Sequence, residues 1–264
     1  MSSPHDLAGE LITAFRAPAP TGTDTLPNRL TPAPIPLGPP IRFAARERER
    51  SPLRTVLDER KSVRIFHPEP ISASLIADVV SRGIQEDFRS WPAEQEPCPL
   101  QTTVVALRLD GLGPGMYSLD TLAGIGGHPE EHAYVQVAPL PEPDALHDLT
   151  LQWEFCDSAA IISIAADLDR VSELHGAHGY RMLMGRAAAA AYTMWLDAVA
   201  VGLVGSVFAG FIPASVRQPL RSDGASRHQI FALALGGAPA PPPHIPPGAN
   251  RPPVNRERKR KRKE

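Results

Sequence analysis

Residues 60–66 read Arg60-Lys61-Ser62-Val63-Arg64-Ile65-Phe66, RKSVRIF, with two arginines flanking a serine just ahead of an apolar pair. The preceding stretch LRTVLDE, 53–59, has the composition of a short helix, and Pro68 and Pro70 end regular structure soon afterwards. The intervening segment is therefore expected to be extended. Residues i, i+2 and i+4 of an extended chain share one face, which puts Arg60, Ser62 and Arg64 together and turns Val63 and Ile65 inward. Paired guanidinium groups offer permanently charged, bidentate donors suited to a phosphate dianion or to the electron-rich edge of a cofactor ring. The plainer alternative pairs them with Asp58 and Glu59 as surface ion pairs, each worth about 0–1 kcal/mol.

Working outward, Ser72 stands as an N-cap before Leu75, Ile76, Val79 and Val80 at helical spacing, with Gly83 as the expected stop. Strands are predicted at 102–109, 115–120 and 133–138, the first two joined by the hairpin-like turn DGLGPG, which implies antiparallel pairing. A helix is predicted over 144–156. The apolar run AAIISIAAD, 159–167, suits a strand covered on both faces. The longest helix is predicted from Ala177 to Val201 and is apolar nearly all round, so it belongs in a domain centre or against a second subunit. A glycine-containing segment, VGLVGSVFAGF, a helix led by Pro213 and a last strand at 230–235 complete the body.

Nine prolines lie in residues 1–40 and eight in 239–253, which divides the chain into a Pro-rich extension (1–45), a folded body (46–238) and a linker with a basic tail (239–264). Net charge is −2; residues 256–264 carry seven basic and two acidic groups, or +5, leaving −7 on the rest. The tail RERKRKRKE has no aromatic residue for base stacking, so a nucleic-acid partner is not expected. Cys98 and Cys156 are too few and too separated for a disulfide framework, and no apolar run reaches the roughly 18 residues of a membrane span. A cytoplasmic protein is the expectation.

Together these segments resemble the flavin-dependent nitroreductase superfamily, whose members open with a short helix and an Arg-x-Ser-x-Arg-x-Phe segment. Arg60, Ser62, Arg64 and Phe66 match it. GLGPGMYSLD, 111–120, resembles a hairpin of one branch, the dehydrogenases that oxidise azoline rings in ribosomally made peptides; HGYRMLMGR and the helix behind it resemble that branch's RGYR element. VGLVGSVFAGFIP resembles the segment whose backbone N–H faces flavin N5, a position that falls on Gly210. The resemblance implies an α+β fold with a mainly antiparallel central sheet flanked by helices and a long central helix at a homodimer interface. It implies FMN held by Arg60, Ser62, Arg64, Arg89, Gly205, Ser206, Ala209 and Gly210.

Two stretches depart from the branch pattern. Where it carries a Lys-Tyr pair, this chain has Leu174 and His175, and the loop at 89–100 keeps Arg89 and Pro92 but puts Ala93-Glu94-Gln95 where small, hydroxyl-bearing residues are usual. Removing a carbon-bound proton needs a base, which leucine cannot be; an imidazole can, so His175 is the candidate base with Tyr180 as relay or substrate contact. His175 and His178 have no third ligand nearby, and no metal is expected.

The implied activity is oxidation of thiazoline or oxazoline to thiazole or oxazole in a peptide natural product, with a cyclodehydratase as a partner. Two alternatives stay open: an NAD(P)H-dependent reductase of nitro, quinone or dehydroamino-acid substrates, and a scaffold subunit that has lost its chemistry.

Overall fold

A computed structural model describes residues 4–16, 34–95, 97–120, 130–224 and 226–239, so the basic tail lies outside the described residues. In chain order the elements are α1 (Pro4–Ala14), β1 (Ile41–Ala44), α2 (Leu53–Glu59), β2 (Ile71–Ser72), α3 (Ala73–Ser90), β3 (Gln101–Ala106), β4 (Leu109–Asp110), β5 (Gly115–Asp120), β6 (Glu131–Ala138), α4 (Pro143–Leu146), β7 (Ala160–Ala166), α5 (Leu168–His175), α6 (Ala177–Ala200), β8 (Leu203–Phe208), α7 (Pro213–Val216) and β9 (His228–Gly237). Seven strands form one sheet in the order β1-β6-β5-β3-β7-β9-β8, every neighbour antiparallel. The sheet thus takes its edge strand β1 from ahead of residue 46, and α1 also precedes that position.

β7 is buried along its whole length. Its alternate side chains serve two cores: Ile162 and Ile164 pack with α3 and α6 on one face, and Ile161 joins Val105, Leu149, Phe155 and Val216 on the other. That double burial explains the uninterrupted apolar run in the sequence.

Four local expectations change. The helix expected to stop at Gly83 continues to Ser90 as α3. A Cβ at Gly83 would lie 2.6 Å from the Ala190 carbonyl oxygen and 2.5 Å from Met194 Cγ, so this glycine is there for the close crossing of α3 and α6. Ser72 occupies the N-cap position, but its side chain makes no capping hydrogen bond. Ile65, expected to face inward, is 73% exposed, while Phe66 is buried against Gly236. Residues 144–156 are not one helix: α4 gives way to short 3-10 turns at His147–Leu149 and Trp153–Asp157. The cause is tertiary, because Ile212 N–H donates to the Leu149 carbonyl (2.7 Å) and Thr150 bridges Phe211. Among the described residues no helix is long and apolar enough to cross a membrane.

Candidate functional site

The Arg60–Phe66 segment leaves the C-terminus of α2 and runs along the β8 edge of the sheet. Ser62 forms a parallel bridge with Gly205, Val63 N–H donates to the Gly205 carbonyl (3.0 Å), and His67 N–H donates to the Gly237 carbonyl (3.0 Å). The two elements read separately from the sequence are therefore hydrogen-bonded neighbours. Gly205 has no room for a side chain, since its Cβ would sit 2.0 Å from the Ala234 carbonyl oxygen.

Arg60 and Arg64 are held differently. The Arg60 guanidinium lies 4.7 Å from the centre of the Trp195 ring and 5.9 Å from that of Tyr192, with its Nε buried and lacking a hydrogen-bond partner. Buried donors without partners are rare in folded proteins, so this atom fits a site meant to receive an acceptor. Arg64 is over half exposed; it donates to Glu154 Oε1 (3.2 Å) and lies over the Phe155 ring (5.8 Å). Phe155 in turn stacks on Phe208 at 4.3 Å, the last residue of β8, and so links Arg64 to the turn that carries Ala209 and Gly210. Ser206 is buried and Ala209 exposed.

Gly210 has φ +111, in the region that favours glycine, and a Cβ there would lie 2.4 Å from Gln229 Nε2. Gln229 Oε1 accepts from Phe211 N–H (2.9 Å), so this side chain props the turn from below. Trp195, Phe155 and Gln229 are site-shaping residues that pattern reading missed. Each is aromatic or amide in an ordinary core context, and nothing local in the sequence separates them from other core residues.

The remaining candidates lie elsewhere. Arg89, in the last turn of α3, is an exposed surface residue paired with Glu86 at 3.0 Å and joins none of the groups above in this chain. His175 ends α5, where its Nε2 lies 3.0 Å from Glu94 Oε2, and Tyr180 lies on the first turn of α6, 42% exposed. Tyr180 and Trp195 are 15 positions apart on one continuous helix, or about 22 Å along its axis at 1.5 Å per residue. Within one chain the candidate base is thus a helix-length away from Arg60.

Burial pushes the Cys98 thiol up to about 11, with the Glu94 carboxylate adding to it, and burial also raises Cys156, so neither is a thiolate nucleophile near neutrality. Among the described residues no group of three His, Cys, Asp or Glu side chains could hold a metal ion. A cleft of about 100 Å³, lined in part by Arg46, Arg50, Asp78, Arg82 and His132, shares no lining residue with either half of the site. Several of its charges are engaged in ion pairs, some with residues behind the lining: His132 and Arg48 bond Asp78 at 2.9 Å each, and Arg50 bonds Asp197 at 2.6 Å. We read it as a structural clasp.

Residues 57–237 match the model of the Nitroreductase family, and the chain belongs to that family. It is 24% identical over 182 residues to a protein named as a nitroreductase in Methanocaldococcus jannaschii, MJ1384, covering 66% of this chain and 86% of the relative. Solved structures of the same fold include a chain named as a nitroreductase from Anabaena variabilis, with TM-score 0.56 and 21% identity over 71% of this chain. This chain spans 38% of the length of that one. Another, from Ralstonia eutropha, has TM-score 0.53 and 14% identity, covering 76% of this chain and 90% of its own. The α+β architecture with a mainly antiparallel sheet flanked by helices is the nitroreductase-like fold expected from the resemblance.

Proposed function

We propose that this protein is an FMN-dependent dehydrogenase that oxidises thiazoline or oxazoline rings of a ribosomally made peptide to thiazoles or oxazoles. Membership of the Nitroreductase family supports a flavin oxidoreductase. The observation that carries the reading is the junction of Ser62 with Gly205, which sets a two-arginine segment beside the strand leading to Gly210. FMN, when bound, supplies the hydride acceptor.

The chain's own part is to bind and orient. Arg60, rigid against Trp195, and Arg64, on Phe155, are the cationic donors for the phosphate, ribityl or pyrimidine edge of the cofactor, with Ser62 between them. Gly210, side-chain-free, lets the backbone approach a flat ring closely. His175 takes the proton from the substrate carbon and Tyr180 contacts the substrate. The helix-length separation of His175 from Arg60 makes this arrangement a two-chain one: a homodimer in which one copy provides the arginines and the other the imidazole. The choice of the azoline branch over the general nitroreductases rests on the sequence resemblance at 111–120, a segment in which Tyr117 Oη donates to the Gly113 carbonyl (2.9 Å).

Anaerobic mixing of the yellow protein with an azoline-containing peptide tests the reading, the expected result being bleaching of the flavin band and a peptide lighter by two hydrogens per ring. Bleaching by NADPH but not by the peptide would replace it with a reductase, and a protein that cannot be loaded with FMN would replace it with a scaffold.

A further inference from the structure

We propose that Glu94 is a positioning residue for His175: it holds the imidazole through Nε2–H and leaves Nδ1 as the ring nitrogen turned to the substrate. The catalytic consequence rests on the reading of His175 as the base; the positioning itself does not. The two side chains are 81 positions apart in sequence and 3.0 Å apart in space, and each belongs to one of the two stretches in which the chain departs from the branch pattern. An ionised carboxylate only accepts hydrogen bonds, so the nitrogen facing it must carry the hydrogen. The other nitrogen is then the basic one.

A surface carboxylate beside a histidine would orient little, because exposed pairs are loosely held and screened by solvent. Glu94 is different. Its side chain is 13% exposed, and its turn is fixed from three directions. The Glu94 carbonyl accepts from Cys98 N–H at 3.0 Å, and the neighbouring Gln95 amide donates to Asp87 Oδ2 at 2.9 Å. Asp87 is bound bidentately by Arg186 at 2.9 and 2.8 Å, and Arg186 Nη1 also donates to the Cys98 carbonyl at 2.9 Å. Arg186 is fully buried on α6, so the turn bearing Glu94 is bolted to the helix that follows His175. His175 itself is 32% exposed, which leaves the ring open to a ligand on its free side. The turn after it is sharp, Gly176 having φ 58, so the backbone fixes where the ring starts and Glu94 fixes how it points.

The plainer role for the pair is to tie the end of α5 to the loop after α3. Tautomer state separates the two. Imidazole ¹⁵N spectra of the full chain, recorded at a pH where the ring is neutral, are expected to show His175 as the Nε2–H tautomer. In Glu94→Gln, whose amide can accept or donate, and in Glu94→Ala, both tautomers should be populated. With the azoline peptide, Glu94→Ala should lower kcat at least about tenfold with KM little changed, because an imidazole released from its orienting carboxylate seldom presents Nδ1 to the substrate carbon. An unchanged tautomer population in both variants overturns the proposal. A changed population with unchanged turnover supports the positioning and overturns instead the reading of His175 as the base. The isosteric Gln variant keeps the packing, so loss of fold in the Ala variant leaves the test intact.

Discussion

Ser62 and Gly205, 143 positions apart in the chain, lie side by side in a parallel bridge at the edge of the main sheet, with Val63 N–H bonded to the Gly205 carbonyl at 3.0 Å. Everything proposed about a cofactor depends on that contact, because it sets the arginine segment against the strand whose end carries Gly210. The contact also makes Gly205 doubly constrained, by the segment on one side and by β9 on the other.

Gly205→Ala should therefore disrupt both stability and flavin binding. The added methyl would meet the Ala234 carbonyl oxygen at 2.0 Å, so a loss of at least about 2 kcal/mol is expected in denaturant unfolding, together with a colourless protein. Gly185→Ala is the matched control: apart from its own helical turn nothing in the chain lies within 4 Å of its added Cβ, and removing a helical glycine should stabilise α6 by about 0.5–1 kcal/mol.

Glu154 occupies a hydrogen-bonding position on Arg64 that an anionic cofactor would contest. Glu154→Gln should tighten FMN binding, and since both side chains are partly exposed the gain is limited to about fivefold, the equivalent of about 1 kcal/mol. Titrating apo-protein into FMN and following the quenching of flavin fluorescence measures it. Weaker binding would assign Glu154 to orienting Arg64 instead of competing for it.

A site shared between two copies makes a quantitative forecast. Arg60→Ala/Arg64→Ala protein and His175→Ala protein should each be inactive toward the azoline peptide. Unfolded and refolded together in equal amounts, they should recover about a quarter of wild-type activity, because half the dimers are mixed and each mixed dimer has one intact site of two. No recovery would place the arginines and the imidazole in the same site of one chain, or remove one of them from catalysis.

Asp78 provides the pH prediction. Burial opposes its ionisation, but hydrogen bonds from His132, Arg48 and the Arg46 N–H outweigh that and hold its carboxyl below the usual carboxylate range. A carboxylate depressed in the folded state contributes stability that is present above the unfolded pKa and is lost as pH falls through the folded one. Asp78→Asn should thus cost about 3 kcal/mol at pH 7 and flatten the acid limb of the stability curve below about pH 4, seen in denaturant midpoints taken from pH 7 to 3.

Much of this fold is written locally. The 53–59 helix, the 115–120 strand and the long helix from Ala177 follow from periodicity, proline punctuation and a run of apolar residues, each of which acts over one or two turns of chain. RKSVRIF likewise announces an extended segment with two arginines on it. What the sequence could not say is what those arginines touch: Trp195 and Phe155 come from a helix and a loop more than 85 positions away, and a cation over an aromatic ring leaves no trace in spacing.

The same reason accounts for the places where local rules failed. Gly83 reads as a helix stop, yet in the folded protein it is the gap through which α3 meets the Ala190 backbone; residues 144–156 read as a helix, yet their backbone groups bond to residues 211 and 212. Propensity is a preference of about 1 kcal/mol or less per residue, and a close helix crossing or a buried main-chain bridge outweighs it. The pairing of Glu94 with His175 is of this kind too. Chain chemistry named both residues as departures, and only the packing of α3, α5 and α6 brought one against the other.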